Sequence, residues 1–180
     1  MAPTRKNTRL TGPPGCGRTT VIRRLVDRLD GLRLRGFYTQ ELREHGQRVG
    51  FEAVGLSGQR AVLAHVRSGS KLRVGRYGVD PERLRPLVEA GLGAPAEAVA
   101  AFVIDEIGKM ELLCPAFVER VPHLLDGPAP VIATVALRGP GLIAEVKARA
   151  DVRLIDVSLR DRDCLPEALE RWVRERTSPR

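Results

Sequence analysis

Hydrophobic residues recur along the chain at two spacings, which divide it into strands and helices. Short apolar runs are typical of strands that are buried on both faces of a parallel sheet. These runs, together with a more polar stretch near the start, predict strands at residues 7–11, 101–104, 131–135 and 152–157. Apolar residues three and four positions apart predict helices at residues 19–29, 80–91, 141–150, after Pro115, and around Leu165, Leu169, Trp172 and Val173. Strands that alternate with helices predict an α/β core with right-handed crossovers.

Proline and glycine mark the ends of two of these helices. Asp80 and Pro81 supply an N-cap and a first-turn proline, and Gly91 is predicted to end the same helix. Pro115 opens the next helix. Its predicted buried side consists of Phe117, Val118, Val121, Leu124 and Leu125.

The segment between the first helix and Asp80 has the pattern of antiparallel strands. Residues 36–43, 49–56 and 61–66 are extended runs separated by turns that contain glycine, which is typical of a β meander. The sequence therefore predicts an antiparallel β insertion at about residues 36–66. At 180 residues the chain has the size of a single domain with a full core, so we expect one domain over residues 1–180.

A glycine-rich loop lies between the first predicted strand and the first predicted helix. In the pattern G-x-x-x-x-G-K-[ST], the glycines let the backbone aim several N–H groups at one anion, and the following helix adds its positive end. This chain fits the pattern except at Arg18, which stands in the lysine position. The predicted phosphate-binding residues are Gly12, Pro13, Pro14, Gly15, Cys16, Gly17, Arg18, Thr19 and Thr20.

Two adjacent carboxylates follow the apolar run at 101–104, at the expected carboxyl end of a strand. Open α/β sheets bind their ligands at that edge. Asp105 is predicted to hold Mg²⁺ together with the hydroxyl of Thr19. Glu106 is predicted to orient a water for attack on the terminal phosphorus. Thr134, in another apolar strand, fits a contact to the terminal phosphate or the attacking water and equally fits a structural role.

Arg18 is the main departure from the loop pattern. The chain contains 26 arginines and 4 lysines, a bias that favours a compositional replacement of lysine. A guanidinium keeps the positive charge, but it is larger and planar where lysine acts as a compact point charge. We therefore expect Arg18 to preserve binding and to displace the terminal phosphate, since a displacement of about 1 Å can cost on the order of a hundredfold in rate.

Composition limits the class of protein. The hydrophobic fraction of 43% is ordinary for a globular protein, and no apolar run approaches the roughly 18 residues of a membrane span. Residues 1–6 carry charges without a following apolar segment, so we expect a cytoplasmic protein without membrane contact. We also expect a monomer. The cysteines, Cys16, Cys114 and Cys164, are too few and too scattered for a disulfide framework or a zinc site.

The net charge of +8 is concentrated near the glycine-rich loop. Residues 1–50 contain 11 basic and 4 acidic side chains, whereas residues 151–180 contain 7 of each. Such a basic region suits a nucleotide and also a nucleic-acid backbone. Because only 4% of the residues are aromatic and no stacking platform is apparent, the sequence favours a nucleoside triphosphate as partner. An RNA contact is left open but is not predicted.

Several motifs occur in the order found in one family. They are residues 11–20, 36–39, 48–51, 75–80, the segment DEIGKMEL at 105–112, and 160–163. With these motifs the chain resembles the thermophile-type nucleoside-triphosphatases, a P-loop family whose human relative is called cancer-related nucleoside-triphosphatase. The resemblance implies a P-loop α/β three-layer sandwich, with a mostly parallel sheet and an antiparallel insertion after the first helix. It also implies slow, Mg²⁺-dependent hydrolysis of ATP, GTP and other nucleoside triphosphates, with broad base specificity.

The motifs also carry residue roles. The resemblance assigns residues 12–20 to the phosphates, Thr19 and Asp105 to the metal, and Glu106 to the attacking water. It extends the binding residues to Gly108 and Lys109. The catalytic residues that it implies are Glu106, Arg18 and Lys109, and whether Lys109 or Arg138 neutralises charge as the bond breaks is left open. Many relatives have asparagine at the position of Asp161. Asp161 either hydrogen-bonds to the edge of a guanine base or belongs to an acidic turn that precedes the last helix.

Two other functions stay open at this point. A nucleotide or small-molecule kinase uses the same loop, and the meander would then help to bind an acceptor. Glu106 beside Asp105 favours water as the acceptor, because a kinase need not position a water there. A weakly active nucleotide-binding module is the other alternative, because Arg18 replaces the loop lysine.

Overall fold

One nine-stranded sheet organises residues 5–93, 95 and 99–177, which the computed structural model describes. The strands are β1 (Asn7–Thr11), β2 (Leu34–Glu44), β3 (Gln47–Gly55), β4 (Arg60–His65), β5 (Arg73–Val74), β6 (Tyr77–Val79), β7 (Ala101–Ile107), β8 (Val131–Val135) and β9 (Val152–Asp156). The helices are α1 (Arg18–Arg28), α2 (Pro81–Leu92), α3 (Pro115–Asp126), α4 (Leu142–Ala148) and α5 (Leu165–Thr177). The strand order is β5-β6-β4-β3-β2-β7-β8-β1-β9.

Helices cover both faces of this sheet. On one face, α1 and α5 pack over a cluster that contains Ile22 and Trp172. On the other face, α2, α3 and α4 pack over a cluster that contains Phe117. Because successive strand residues point to opposite faces, β7 contributes Phe102 to one cluster and Val103 to the other. The three-layer α/β sandwich expected from the sequence is confirmed.

β1 is fully buried although Asn7 and Arg9 are polar. Asn7 donates from Nδ2 to the carbonyl of Leu125 at 3.0 Å, and its Oδ1 accepts the N–H of Val131 at 3.1 Å. Arg9 donates from Nη1 to the carbonyl of Val146 at 2.6 Å. These bonds join the strand to α3, β8 and α4 and replace the water that the polar groups lose on burial. The polar character of this strand therefore does not contradict its central place.

The antiparallel segment continues the main sheet. The first half of β2 pairs with β7 in parallel, and from residue 37 onwards β2 pairs with β3 in the antiparallel sense. Antiparallel pairing goes on through β4, β6 and β5, so this part extends past residue 66 to Val79. β5 and β6 are only 2 and 3 residues long, too short to show a period in the sequence. Parallel pairing is confined to β2, β7, β8, β1 and β9, and the sheet as a whole is mixed.

Two details of the predicted helices are wrong. α2 ends at Leu92 rather than at Gly91. Gly91 instead allows the helix to approach β2 closely, since a Cβ there would be 3.1 Å from the carbonyl oxygen of Gly36. Val118 on α3 is 36% exposed. The buried side of α3 instead follows Phe117 and, one turn later, Val121.

The parallel strands direct their carboxyl ends to one edge of the sheet. The glycine-rich loop follows β1 at that edge, and the segments after β7, β8 and β9 reach it as well. This arrangement places the predicted phosphate loop close to the predicted acidic pair. No helix within the described ranges combines the length and apolar character needed to cross a bilayer.

Candidate active site

A cavity of about 620 Å³ lies at the carboxyl edge of the parallel strands. The glycine-rich loop, the end of β7, the β2–β3 part of the meander and the turn after β9 all line it. The lining residues that matter most for its chemistry are Gly15, Gly17, Arg18, Thr19, Thr20, Asp105, Glu106, Lys109, Glu111 and Arg162. The loop and the two acids, far apart in sequence, therefore meet around one space.

The loop turns sharply between β1 and α1. Gly17 has φ +100° and ψ 21°, a left-handed conformation that glycine adopts without steric cost. α1 begins at the next residue, so the N–H groups of Arg18, Thr19 and Thr20 have no partner within the helix. Because these three residues line the cavity, the positive end of the helix is available to a phosphate group.

Some of the predicted loop residues do not reach the cavity. Pro14 and Gly15 line it, whereas Gly12, Pro13 and Cys16 are absent from its lining. Cys16 is buried, and its Sγ lies 2.8 Å from where a Cβ on Gly12 would be. Cys16 therefore packs inside the loop rather than facing the cavity.

Asp105 and Glu106 lie within β7 rather than beyond its end. Adjacent residues of a regular strand point to opposite faces, yet both of these acids line the cavity. The pairing of β7 with β8 changes register between Ile104 and Ile107, with one extra residue on β7. Bulges change the direction of side chains and are common beside active sites. Here the bulge coincides with the two adjacent carboxylates both lining the cavity.

Asp105 is only 1% exposed. Its Oδ1 accepts a hydrogen bond from the hydroxyl of Thr134, and its Oδ2 accepts none from the described residues. Burial raises the pKa of Asp105 to about 6, although the hydroxyls of Thr134 and Thr19 act in the opposite direction. Thr134 does not line the cavity, so it orients Asp105 rather than contacting a ligand.

The buried, unpartnered oxygen of Asp105 fits a divalent cation. Mg²⁺ prefers oxygen ligands and binds through one or two protein groups together with phosphate and water. Thr19 lines the same cavity and is close enough to affect the carboxyl of Asp105. In the part of the chain that the structure describes, no three His, Cys, Asp or Glu side chains gather into a metal site. The protein would therefore supply only part of the coordination, through Asp105 and Thr19.

Arg18 reaches Glu106 across the cavity. Its Nη1 lies 3.0 Å from Oε2 of Glu106 and donates to the carbonyl of Val135 at 2.9 Å. The two side chains are 16% and 29% exposed, so the pair is partly shielded from water. Arg18 thus forms an ion pair with Glu106, the carboxylate that is predicted to orient the attacking water. Arg18 must leave this position to contact a terminal phosphate.

A third carboxylate, Glu111, lies beside Glu106. A Cβ on Gly108 would be 2.6 Å from Oε1 of Glu106 and 2.9 Å from Oε2 of Glu111, so the glycine leaves the space that these side chains fill. Glu111 is 4% exposed. Burial, reinforced by the charges of Glu106 and Asp105, raises the pKa of Glu111 to about 8. Glu111 is therefore mostly uncharged in the folded chain at pH 7.

Glu111→Gln is expected to make the stability of the fold less sensitive to pH. The folded chain keeps the proton of Glu111 up to about pH 8, whereas the unfolded chain releases it near 4.5. The stability that this proton provides is complete below the lower value and is lost as the pH rises to the higher one. The loss is on the order of 2–4 kcal/mol. Urea unfolding at pH 5 and pH 8.5 measures it, and equal losses in wild type and variant would contradict the assignment.

The other predicted residues lie in different places. Lys109 is exposed at the rim of the cavity. Arg138 is exposed on the loop after β8 and does not line the cavity. The carboxylate of Asp161 accepts a hydrogen bond from Oγ of Ser158 at 2.6 Å. Since Asp161 is engaged within its own turn, the structure favours its role at the start of the last helix.

The sequence predictions missed two parts of the lining. In the meander, Arg48 stacks on the ring of Phe51 at 5.2 Å and pairs with Glu41 at 2.7 Å, and all three residues line the cavity. In the turn after β9, Arg162 lines the cavity beside Gly17. Both segments belong to motifs that carried the family resemblance, but a motif does not say which side chain faces a cavity.

A glycine-rich loop at the start of a helix, opposite a carboxylate pair on β7, two strands away from β1 in the sheet, defines a P-loop nucleotide-binding protein. A family model described as NTPase matches residues 7–169. The chain belongs to this family, and the resemblance expected from the sequence is confirmed.

Sequence similarity to named proteins and structural similarity to a solved structure support this family membership. The chain is 41% identical over 176 residues to the nucleoside-triphosphatase THEP1 of Thermofilum pendens, which covers 93% of this chain and 95% of that protein. It is 36% identical over 173 residues to the human cancer-related nucleoside-triphosphatase, which covers 87% and 90%. The crystal structure of THEP1 from Aquifex aeolicus superposes with a TM-score of 0.85 at 30% identity, over 93% of this chain and 98% of that one.

Proposed function

We propose that the chain hydrolyses nucleoside triphosphates to diphosphate and phosphate in this cavity, with Mg²⁺ as cofactor. Its family and the names of its relatives support a nucleoside-triphosphatase. The observation that carries the proposal is the convergence of the phosphate loop, Asp105 and Glu106 on one space. This convergence unites an anion site, a free buried oxygen for a cation, and a carboxylate that can accept a proton.

The residues divide the reaction among them. The N–H groups of Gly15, Gly17, Arg18, Thr19 and Thr20 hold the phosphates. Asp105 with Thr19 would hold Mg²⁺, which neutralises charge on the phosphate oxygens when bound. Glu106 accepts a proton from water while the water oxygen bonds to the terminal phosphorus, and the bond from that phosphorus to the diphosphate breaks. Lys109 at the rim balances the charge that develops. We propose that turnover is slow, because Arg18 pairs with Glu106 in the resting site.

Phosphoryl transfer to an acceptor other than water is the second candidate. It is favoured by the meander residues Gln40, Arg48 and Phe51, which extend the cavity beyond Glu106. An acceptor hydroxyl would occupy the place of the water, and Glu106 would take its proton. The two functions differ in whether nucleotide alone is consumed.

Phosphate release from ATP, GTP, CTP and UTP tests the proposal directly. With Mg²⁺ and no added acceptor, we expect release from all four nucleotides, and none when the metal is chelated. If no nucleotide releases phosphate, hydrolysis is contradicted, and phosphoryl transfer to another acceptor is the remaining candidate function. Cytoplasmic location, a monomeric state and a single domain over residues 1–180 stay predictions, and an RNA contact is not proposed.

A further inference from the structure

The side chain of Arg162 lies over the start of the helix that follows the phosphate loop. A Cβ built on Gly17 would be 2.9 Å from Cδ and 3.4 Å from Nη1 of Arg162. Arg162 is partly buried and lines the cavity. The aliphatic part of the Arg162 side chain therefore fills the space beside Gly17, and its guanidinium lies at the cavity.

Among residues 5–93, 95 and 99–177, no side chain pairs with this guanidinium. The acids next to it in sequence are engaged elsewhere. Asp161 accepts a hydrogen bond from Oγ of Ser158 at 2.6 Å, and Asp163 pairs with Nη1 of Arg24 at 2.5 Å. Arg162 is thus available to a ligand of the cavity.

The turn that carries Arg162 is attached to the phosphate loop. β9 pairs with β1 as far as Asp156 opposite Thr11. The N–H of Val157 then donates to the carbonyl of Thr11 at 2.8 Å, and the N–H of Arg162 donates to the carbonyl of Ser158 at 3.0 Å. These bonds hold Arg162 at a defined distance from the loop.

The strand order decides which end of a nucleotide meets Arg162. β1 and its loop lie between β8 and β9. Asp105 and Glu106, at the metal and the terminal phosphate, stand on the β7–β8 side. A triphosphate held in the loop with its terminal phosphate on that side directs its nucleoside towards the β9 side, where Arg162 lies.

At this end of the cavity, Arg162 offers the planar surface that a base requires. The lining residues from the loop, α1 and the turn after β9 are Pro14, Gly15, Gly17, Arg18, Thr19, Thr20, Arg23 and Arg162, and none of them is aromatic. Phe51 lines the cavity from the meander, on the far side of β7. A guanidinium stacks on the face of any base and does not read the hydrogen-bonding edges.

We propose that Arg162 stacks on the nucleobase and is the residue through which the chain binds nucleotides of any base. This inference rests on the proposed nucleoside-triphosphate site and assigns its nucleoside end. Stacking without edge contacts accounts for binding of purine and pyrimidine nucleotides alike.

Calorimetric titration with ADP and with inorganic pyrophosphate tests the proposal, since the two ligands share a diphosphate and only one has a base. Arg162→Ala should weaken ADP binding about 5- to 50-fold, as expected for the loss of one stacking contact, and leave pyrophosphate binding unchanged. Arg162→Lys keeps the charge without the plane and should behave like Arg162→Ala. Arg160→Ala, an exposed arginine of the same turn, should match wild type with both ligands.

Three results would overturn the proposal. Equal weakening of ADP and pyrophosphate, or full rescue by Arg162→Lys, would indicate a contact to phosphate instead. Unchanged ADP binding in Arg162→Ala would also overturn it, and weakening by Phe51→Ala would then locate the base at the meander. Wild-type protein that binds neither ligand would contradict the nucleotide site itself. Melting temperatures of all variants establish that each one is folded.

Discussion

Glu106→Gln is expected to lower the turnover number for ATP by about 100- to 10,000-fold, the usual contribution of a general base. Glutamine has nearly the same shape as glutamate, and its oxygen can still accept a hydrogen bond from Arg18. It cannot take a proton from water, so the attacking oxygen stays weakly nucleophilic. Nucleotide affinity should be kept or slightly increased, because the Arg18–Glu106 ion pair no longer competes with the phosphates.

Glu119→Gln provides the matched control for this prediction. Glu119 is exposed on α3, and its replacement removes the same single charge outside the cavity. Single-turnover kinetics would separate the chemical step from product release. Wild-type turnover in Glu106→Gln would remove Glu106 from the reaction, and loss of ATP binding would make it a binding residue instead.

Arg18→Lys is expected to raise turnover by about 10- to 100-fold, with little change in affinity for ATP. A lysine ammonium is a compact charge that can lie between the outer phosphates. The substitution also removes the guanidinium nitrogen Nη1, which contacts both Glu106 and the carbonyl of Val135 in the resting site. The first effect places the terminal phosphate correctly. The second effect frees the carboxylate of Glu106 for the attacking water.

A double variant distinguishes these two effects. If Arg18 limits the rate by occupying Glu106, the gain from Arg18→Lys should disappear when Glu106→Gln is also present. Arg28→Lys, on the last turn of the same helix, is the control for a general effect of lysine in α1. Unchanged or lower turnover in Arg18→Lys would contradict the view that Arg18 restrains this enzyme.

The sequence was most informative where the chain repeats a strong local pattern. The apolar stripe of α1 and the apolar runs of β7 and β8 predicted buried elements, because burial on a helix or central strand constrains residue type directly. The phosphate loop was predictable for a similar reason, since its glycines, Gly17 above all, are required by backbone conformation.

Features set by long-range contacts were not predictable. The bulge that turns Asp105 and Glu106 to one side depends on the register of β7 against β8. The raised pKa of Glu111 depends on its burial in the folded chain and on two nearby acids. The Arg18–Glu106 pair joins residues far apart in sequence, and no single segment carries a signal for it.

The turn after β9 illustrates the same limit. Its motif drew attention to Asp161, the residue that differs from relatives, whereas Arg162 faces the cavity. Only the close approach of Arg162 to Gly17 reveals this. A sequence motif therefore located the segment, and the packing of two distant loops selected the residue.

The central claim is that the loop after β1 and Asp105 on β7 hold one triphosphate–metal unit. Its most direct test is the affinity for a non-hydrolysable ATP analogue with and without Mg²⁺, in wild type, Asp105→Asn and the exposed control Asp27→Asn. Because metal and nucleotide would share one site, Mg²⁺ should tighten binding to wild type and to the control by about tenfold or more, and this gain should be lost in Asp105→Asn. The same gain in all three proteins would show that Asp105 does not meet the bound nucleotide's metal, and it would contradict the account.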